Sequence, residues 1–401
     1  MFFAYLDPGS GSALVGTVIA VAGAALFSLK SFFYRLVGGR GDAAPASEPE
    51  LALFSEGRNY WGTFREIVEE LIARKVRFAY YTMDLHDPAL RIDSEYMHAR
   101  LFDARKASSF PKLARIRAKV LLATTPNIGT PGYPLARPAG VAKLVHVFHA
   151  FADISAYHVG SLDSYDAVLT VGPQQEKPIR EVERARNLRP KAIVPMGLPY
   201  FDAQYHALDA RASGKPGGRT ILVGPSWGAK GLLREYGTGF ILDLARAGFD
   251  VIVRPHPQSY IAEPDFIRRC QAETAACPNV TWDSETVGTK AMRASDMLVS
   301  DTSSIRFDYA FLYGKPVVTL DIPHEKQLEY EGQFMSEIWT DAAAHRLGRV
   351  LTHADVGSVV QVVEDVLASG AADVRQFRDE TMVNLGTSAK AIADYLQKEV
   401  A

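Results

Sequence analysis

Short apolar, β-prone runs alternate with helix-like segments along most of the chain, and this alternation constrains the fold more than any other feature. The pattern breaks once, at the glycine-rich segment Ser213–Gly218, and then begins again. The predicted strands are Val76–Thr82, Val120–Thr124, Leu144–Phe148 and Ala167–Val171 before the break, and Thr220–Val223, Asp250–Val253, Val280–Trp282, Met297–Val299 and Pro316–Leu320 after it. Strands joined by helical crossovers form parallel sheets covered on both faces. The sequence therefore predicts an α/β fold of two doubly wound parallel-sheet domains that face a cleft.

The segment Ala13–Leu29 carries no charged residue and is followed by the basic residues Lys30, Arg35 and Arg40. A helix of this length, at ~1.5 Å per residue, approaches the thickness of the hydrocarbon layer. Positive charge on one side only predicts a single-pass anchor in the cytoplasmic (inner) membrane, with the rest of the chain in the cytoplasm. A cleaved signal peptide is the alternative, since Ala20-Val21-Ala22 resembles a cleavage site, but the usual positive charge before the apolar run is missing.

These features divide the chain into six predicted parts. They are a short extracytoplasmic N-terminus (1–12), a transmembrane anchor (13–36), a linker (37–50), an N-terminal α/β domain (51–212), a C-terminal α/β domain (219–355) and C-terminal helices (356–401).

Composition excludes some classes of function. The chain has 44 basic and 46 acidic residues, so nothing indicates binding to nucleic acid. Its two cysteines, Cys270 and Cys277, have neither metal-ligand spacing nor histidines around them, and we interpret them as free thiols. Without an Asp-x-Asp motif or a histidine cluster, the sequence indicates no metal and no other cofactor.

Polar residues follow four predicted strands at the edge where parallel strands end. They are His149, Ser226-Trp227, Arg254 with His256, and the run Asp301-Thr302-Ser303-Ser304. Ligands of open α/β sheets bind at this edge. The last run also precedes a predicted helix, whose free N–H groups favour anions. Helix capping explains the same hydroxyls and remains the alternative there.

The motifs around these residues resemble those of the CDP-glycerol glycerophosphotransferases, a family with a GT-B type fold. They are Pro225-Ser226-Trp227, Arg254-Pro255-His256-Pro257, Ser300 to Ser304 followed by Phe307-Asp308, and Phe148-His149-Ala150. The resemblance covers residues 219 to 335 well and is thin before them. Ala150, Thr302 and Gly228 depart from the family pattern, and the usual Arg-Gly element is missing near Tyr330-Glu331-Gly332. The chain thus looks like a distant branch of the family.

The resemblance implies a transferase that moves a polyol phosphate from a CDP-activated donor to a cell-surface glycan or lipid-linked acceptor and releases CMP. It places the acceptor on the N-terminal domain and the nucleotide donor on the C-terminal domain. The implied catalytic residues are His149, as general base, and His256. The implied ligands of the donor phosphates are Arg254, Thr302, Ser303 and Ser304, and Ser226 and Trp227 are further donor-binding candidates.

Several alternatives remain open from the sequence. His149 could be a structural residue at the end of a strand. We interpret Asp301 as a structural cap, because a carboxylate beside a phosphate is repulsive, and Asp308 as a solvated or ion-paired group. The same architecture also suits a GT-B glycosyltransferase that uses a nucleotide sugar, or a non-catalytic anchored subunit that binds nucleotide or glycan.

Overall fold

The computed structural model describes residues 49–106, 109–208, 218–285, 288–322, 329–369 and 374–401. Its strands form two sheets, and hydrogen-bonded neighbours within each sheet run parallel. The predicted class of two parallel-sheet α/β domains is therefore confirmed.

The first sheet has seven strands in the order β3-β2-β1-β4-β5-β6-β7. The strands are β1 (Leu51–Ser55), β2 (Phe78–Thr82), β3 (Met97–Leu101), β4 (Arg117–Ala123), β5 (Gly140–Val147), β6 (Ala167–Thr170) and β7 (Ala192–Pro195). The central strands β1, β2 and β6 are buried along their whole length, as parallel strands covered on both faces must be.

The second sheet has six strands in the order β10-β9-β8-β11-β12-β13. The strands are β8 (Thr220–Gly224), β9 (Asp250–Val253), β10 (Val280–Trp282), β11 (Met297–Ser300), β12 (Val317–Leu320) and β13 (Gly348–Leu351). Chain order reverses between β8 and β11 here, and between β1 and β4 in the first sheet. Such switch points open a crevice at the carboxyl ends of the strands.

Helices cover both sheets. They are α1 (Trp61–Ala73), α2 (Ser109–Leu113), α3 (Glu176–Ala185), α4 (Pro199–His206), α5 (Leu232–Tyr236), α6 (Gly239–Arg246), α7 (Pro257–Ala262), α8 (Pro264–Thr274), α9 (Thr289–Ala294), α10 (Ile305–Tyr313), α11 (Trp339–Leu347), α12 (Val359–Ser369), α13 (Val374–Thr381) and α14 (Ser388–Val400). Single 3-10 turns lie at Arg58–Tyr60, Pro88–Arg91, Pro173–Gln175, Glu331–Phe334 and Val356–Ser358.

The two halves of the molecule share an apolar core. Phe151, which follows β5, stacks on Phe307 of α10 with ring centroids 4.8 Å apart and lies 5.7 Å from the ring of Trp339. The C-terminal helices also contact both halves: α12 packs on α6 and β13, whereas α14 packs on α1 and β4.

Every strand predicted from the sequence is present, whereas β1, β3, β7 and β13 were missed. The predicted anchor lies outside the described residues, and so does most of the predicted break at Ser213–Gly218. Among the residues that the structure does describe, no helix is long and apolar enough to span a membrane. The six predicted domain limits stay predictions.

Candidate active site

Asp301 organises the turn that follows β11. It is fully buried, and its Oδ2 accepts hydrogen bonds from the Ser226 hydroxyl (2.5 Å) and from the backbone N–H groups of Ser226 (3.0 Å) and Leu232 (2.9 Å). Its Oδ1 accepts from the backbone N–H of Ser303 (3.0 Å). One carboxylate thus ties the turn after β8 to the turn after β11, on either side of the switch point, and its structural role is confirmed.

Ser226 and Trp227 occupy the turn after β8. The Ser226 hydroxyl donates to Asp301, so it is already engaged in holding the turn together. The Trp227 side chain is 49% exposed and stacks against His256 with ring centroids 6.3 Å apart. An exposed indole at the edge of a cleft offers an apolar face to a planar ligand such as a nucleobase.

His256 is held in one tautomer at the start of α7. Its Nδ1 accepts a hydrogen bond from the backbone N–H of Gln258 (3.1 Å), and partial desolvation lowers the pKa of the exposed imidazole. A ring that accepts at Nδ1 carries its proton on Nε2. His256 therefore presents a neutral N–H donor, which suits contact with a phosphate oxygen better than abstraction of a proton.

A cavity of about 400 Å³, here called the His256 cavity, opens between the two halves of the molecule. Ser303, Ser304 and Arg254 line it together with His256, and Tyr200 and Gln204 reach it from α4 of the first half. Ser304 is the N-cap of α10, yet its hydroxyl makes no capping hydrogen bond. Free hydroxyls at the positive end of a helix are suited to bind an anion.

Of the other two predicted phosphate ligands, Thr302 lies outside the His256 cavity, whereas Arg254 lines it but is already ion-paired. Thr302 lines a separate cavity of about 440 Å³ beside Arg306 rather than the His256 cavity. Arg254 lies in the wall of the His256 cavity, and its Nη1 is 2.7 Å from Oδ2 of Asp283. Its charge is therefore partly balanced before any ligand binds.

His149 follows β5 at the carboxyl edge of the first sheet. Its ring makes an edge-to-face contact with Tyr60, with centroids 5.0 Å apart. Its Nδ1 is buried and has no hydrogen-bond partner within the described ranges, and burial lowers the pKa of the ring. The imidazole is therefore neutral near pH 7, the form in which it can accept a proton.

The structure adds a carboxylate that the sequence reasoning missed. Glu56 follows β1 and lines a cavity of about 610 Å³ together with Arg58 and Tyr60. The Glu56 side chain is exposed at this cavity. Because Tyr60 contacts both this cavity and the His149 ring, Glu56 and His149 belong to the same edge of the sheet. The sequence feature that could have identified Glu56 is the apolar run Leu51–Phe54 directly before it, which forms strand β1.

Residues 151–335 match the model of the family described as CDP-glycerol:poly(glycerophosphate) glycerophosphotransferase. The matched segment contains Ser226, Trp227, Arg254, His256 and the run Asp301–Ser304, whereas His149 lies two residues before it. The chain is therefore similar to this family over that segment. The predicted resemblance is thereby confirmed, and so is the prediction of a transferase enzyme of this type. No curated protein sequence matches the chain significantly.

Solved structures share the fold at low identity. The wall teichoic acid polymerase TagF, in a crystal soaked with CDPG, is 14% identical, with a TM-score of 0.54 over 96% of this chain and 95% of the polymerase chain. A putative UDP-N-acetylglucosamine 2-epimerase from Listeria monocytogenes is 10% identical, with a TM-score of 0.57 over 88% of this chain and 98% of its own. UDP-GlcNAc 2-epimerase from Methanocaldococcus jannaschii is 11% identical, with a TM-score of 0.56 over 87% and 99%. These likenesses agree with the predicted GT-B-like fold.

Proposed function

We propose that this protein transfers a polyol phosphate, of the glycerol phosphate kind, from a CDP-activated donor to a cell-surface glycan or lipid-linked acceptor and releases CMP. The observation that carries the proposal is the His256 cavity. Within the segment that matches the glycerophosphotransferase family, it brings the N–H of His256 and the hydroxyls of Ser303 and Ser304 to one cleft at a helix N-terminus. These groups form a binding site for the pyrophosphate of the donor.

His149 acts as the general base in this proposal. It takes the proton from an acceptor hydroxyl as the hydroxyl oxygen forms a bond to the β-phosphorus, and the bond from that phosphorus to the bridging oxygen breaks. The pair of electrons from the broken bond leaves with CMP, whose new negative charge is stabilised by His256 and the hydroxyls of Ser303 and Ser304. The lowered pKa of His149 keeps its ring unprotonated before the reaction.

We also propose that the anchor predicted at 13–36 holds the enzyme at the cytoplasmic face of the membrane. Tethering would raise the effective concentration of a lipid-linked acceptor in the plane of the bilayer. The uncharged run Ala13–Leu29 and the basic residues that follow it support this part of the proposal.

Calorimetry with the full chain in detergent tests the donor class. We expect binding of CMP and of one CDP-polyol, with CDP-glycerol and CDP-ribitol as probes, and weaker or no binding of UDP-GlcNAc. His256→Ala should weaken CDP-polyol binding by about tenfold or more, because a hydrogen bond to a charged group contributes about 1.5–3 kcal/mol. His353→Ala, a change at an exposed histidine that stacks on Tyr236, is the matched control and should bind as the wild type does.

Preferential binding of a nucleotide sugar would assign the protein to the glycosyltransferases instead. A chain that binds none of these nucleotides would favour the non-catalytic subunit.

A further inference from the structure

Asp308 is a buried carboxyl group that the proposed reaction does not use. It lies on α10, one turn after Ser304, and is 9% exposed. Its Oδ1 is buried without a hydrogen-bond partner within the described part of the chain, and the residue lines the His256 cavity. The interpretation of Asp308 as a solvated or ion-paired group is therefore wrong. An unsatisfied buried oxygen at the wall of a cavity is available to a ligand.

The surroundings of Asp308 are polar, and the guanidinium that lines the same cavity, Arg254, is paired with Asp283. Tyr200 of α4 faces it closely enough that the Asp308 charge is the largest cause raising the pKa of the Tyr200 hydroxyl. Gln204 lies beside the same hydroxyl and also lines the cavity. Arg254 shares the cavity, and its Nη1 bonds to Asp283. The Asp308 end of the cavity thus combines an open acceptor with the polar side chains of Tyr200 and Gln204 and with a guanidinium already bonded to Asp283.

The chemistry of this end differs from that of the His256 end. A phosphate beside an ionised Asp308 would be repelled, whereas a neutral hydroxyl could donate to Oδ1. Asp308 follows Ser304 by four helical residues, a rise of ~6 Å. That rise is similar to the reach of a three-carbon polyol beyond its phosphate, about five bonds of ~1.5 Å each in a zigzag. A donor with its phosphate at Ser304 can therefore bring a hydroxyl to Asp308.

We infer that Asp308 accepts a hydrogen bond from a hydroxyl group of the bound donor and selects hydroxylated donors. The inference rests on the proposed function. A hydroxyl of the polyol and a hydroxyl of the ribose offer the same chemistry, and the experiment below separates them.

Calorimetry on the full chain in detergent tests the inference with CDP-glycerol, CDP-propanol (which lacks the free polyol hydroxyls) and the 2′-deoxyribose form of CDP-glycerol. We expect the wild type to bind CDP-glycerol at least about tenfold more tightly than one of the two analogues. The analogue that lacks the recognised hydroxyl leaves Oδ1 of Asp308 buried without a hydrogen bond, which weakens its binding. Weaker binding of CDP-propanol than of CDP-glycerol identifies the polyol hydroxyl as the partner of Asp308. Weaker binding of the deoxy form identifies the ribose hydroxyl.

Asp308→Ala should bind that analogue and CDP-glycerol about equally. Asp308→Asn has the same shape as the wild type and serves as the second variant if Asp308→Ala does not fold. It should reduce the preference for CDP-glycerol over that analogue. Asp321→Asn, which changes a carboxyl group after β12 outside the His256 cavity, should keep the wild-type preference. Unchanged preference in both Asp308 variants would overturn the inference while leaving the donor class in place. Absence of cytidine nucleotide binding by the wild type would overturn the proposed function and the inference with it.

Discussion

At the scale of single residues, Asp301 and Asp308 show how far sequence position alone predicts a role. Both belong to motifs at the start of α10, and both are buried. Asp301 is satisfied by donors from two turns, as its place after a strand and before a helix suggested. The surroundings of Asp308 depend on α4, more than a hundred residues earlier in the chain, so helical position alone could not reveal its burial.

Burial of Asp308 predicts a pH-dependent stability. Burial raises the pKa of this carboxyl from 3.8 to about 7 in the folded protein. Between pH 4 and pH 7 this carboxyl group loses its proton in the unfolded chain but keeps it in the folded protein. The free energy of unfolding therefore decreases as the pH rises through this range, and above pH 7 the decrease stays constant. Asp308→Asn removes this penalty. Its stability relative to the wild type should therefore increase between pH 4 and pH 8, by up to a few kcal/mol.

Chemical denaturation at the two pH values measures this difference. The groups that face Asp308 are Tyr200 of α4, Tyr313 of its own helix, and Arg254 and His256 after β9. His256 is the one among them that titrates in the same range, so His256→Ala should be measured in parallel. If the difference in stability between Asp308→Asn and the wild type does not change with pH, burial does not raise the pKa of Asp308 and the prediction is wrong.

At the scale of elements, the sequence predicted central strands better than edge strands. Strands β3, β7 and β13 lie at sheet edges. Exposed polar residues such as His98 and Arg349 interrupt the apolar pattern of β3 and β13, and β7 is only four residues long. Strand β1 is central, but its five residues directly follow the predicted linker. Because β1 was not predicted from the sequence, neither the switch point between β1 and β4 nor the position of Glu56 beside it could be predicted.

The last helix, α14, is predicted to stabilise the first half of the molecule. Leu396 is fully buried in the apolar cluster that includes Phe64 and Leu71 of α1. Leu396→Ala should lower the free energy of unfolding by about 2–5 kcal/mol, because it removes buried methyl groups and leaves a cavity. Lys398→Ala, on an exposed face of the same helix, should change it by no more than about 0.5 kcal/mol. Denaturant titration distinguishes the two, and equal effects would contradict the docking of α14.

At the scale of the whole molecule, the cleft is framed by contacts that link the two halves. The segment after β12 returns to the first half, where Tyr330 pairs with His158 in a β-bridge. Oε1 of Glu331 then accepts from the backbone N–H of Gly160 (2.9 Å) and from Nη1 of Arg186 (3.0 Å). Sequence reasoning noted only that a family motif is missing at this place, because the partners of Glu331 are distant in the chain. These contacts join the segment after β12 to the first half of the molecule.

The identity of the released nucleotide tests the central claim most directly. The full chain in detergent, given CDP-glycerol and a membrane extract as source of acceptor, can be followed by ³¹P NMR. Attack at the β-phosphorus predicts that CMP accumulates while a phosphodiester signal appears in the lipid or glycan fraction, and that His149→Ala abolishes both. Release of a nucleoside diphosphate from a nucleotide sugar under the same conditions, with CDP-glycerol left intact, would contradict phosphate transfer.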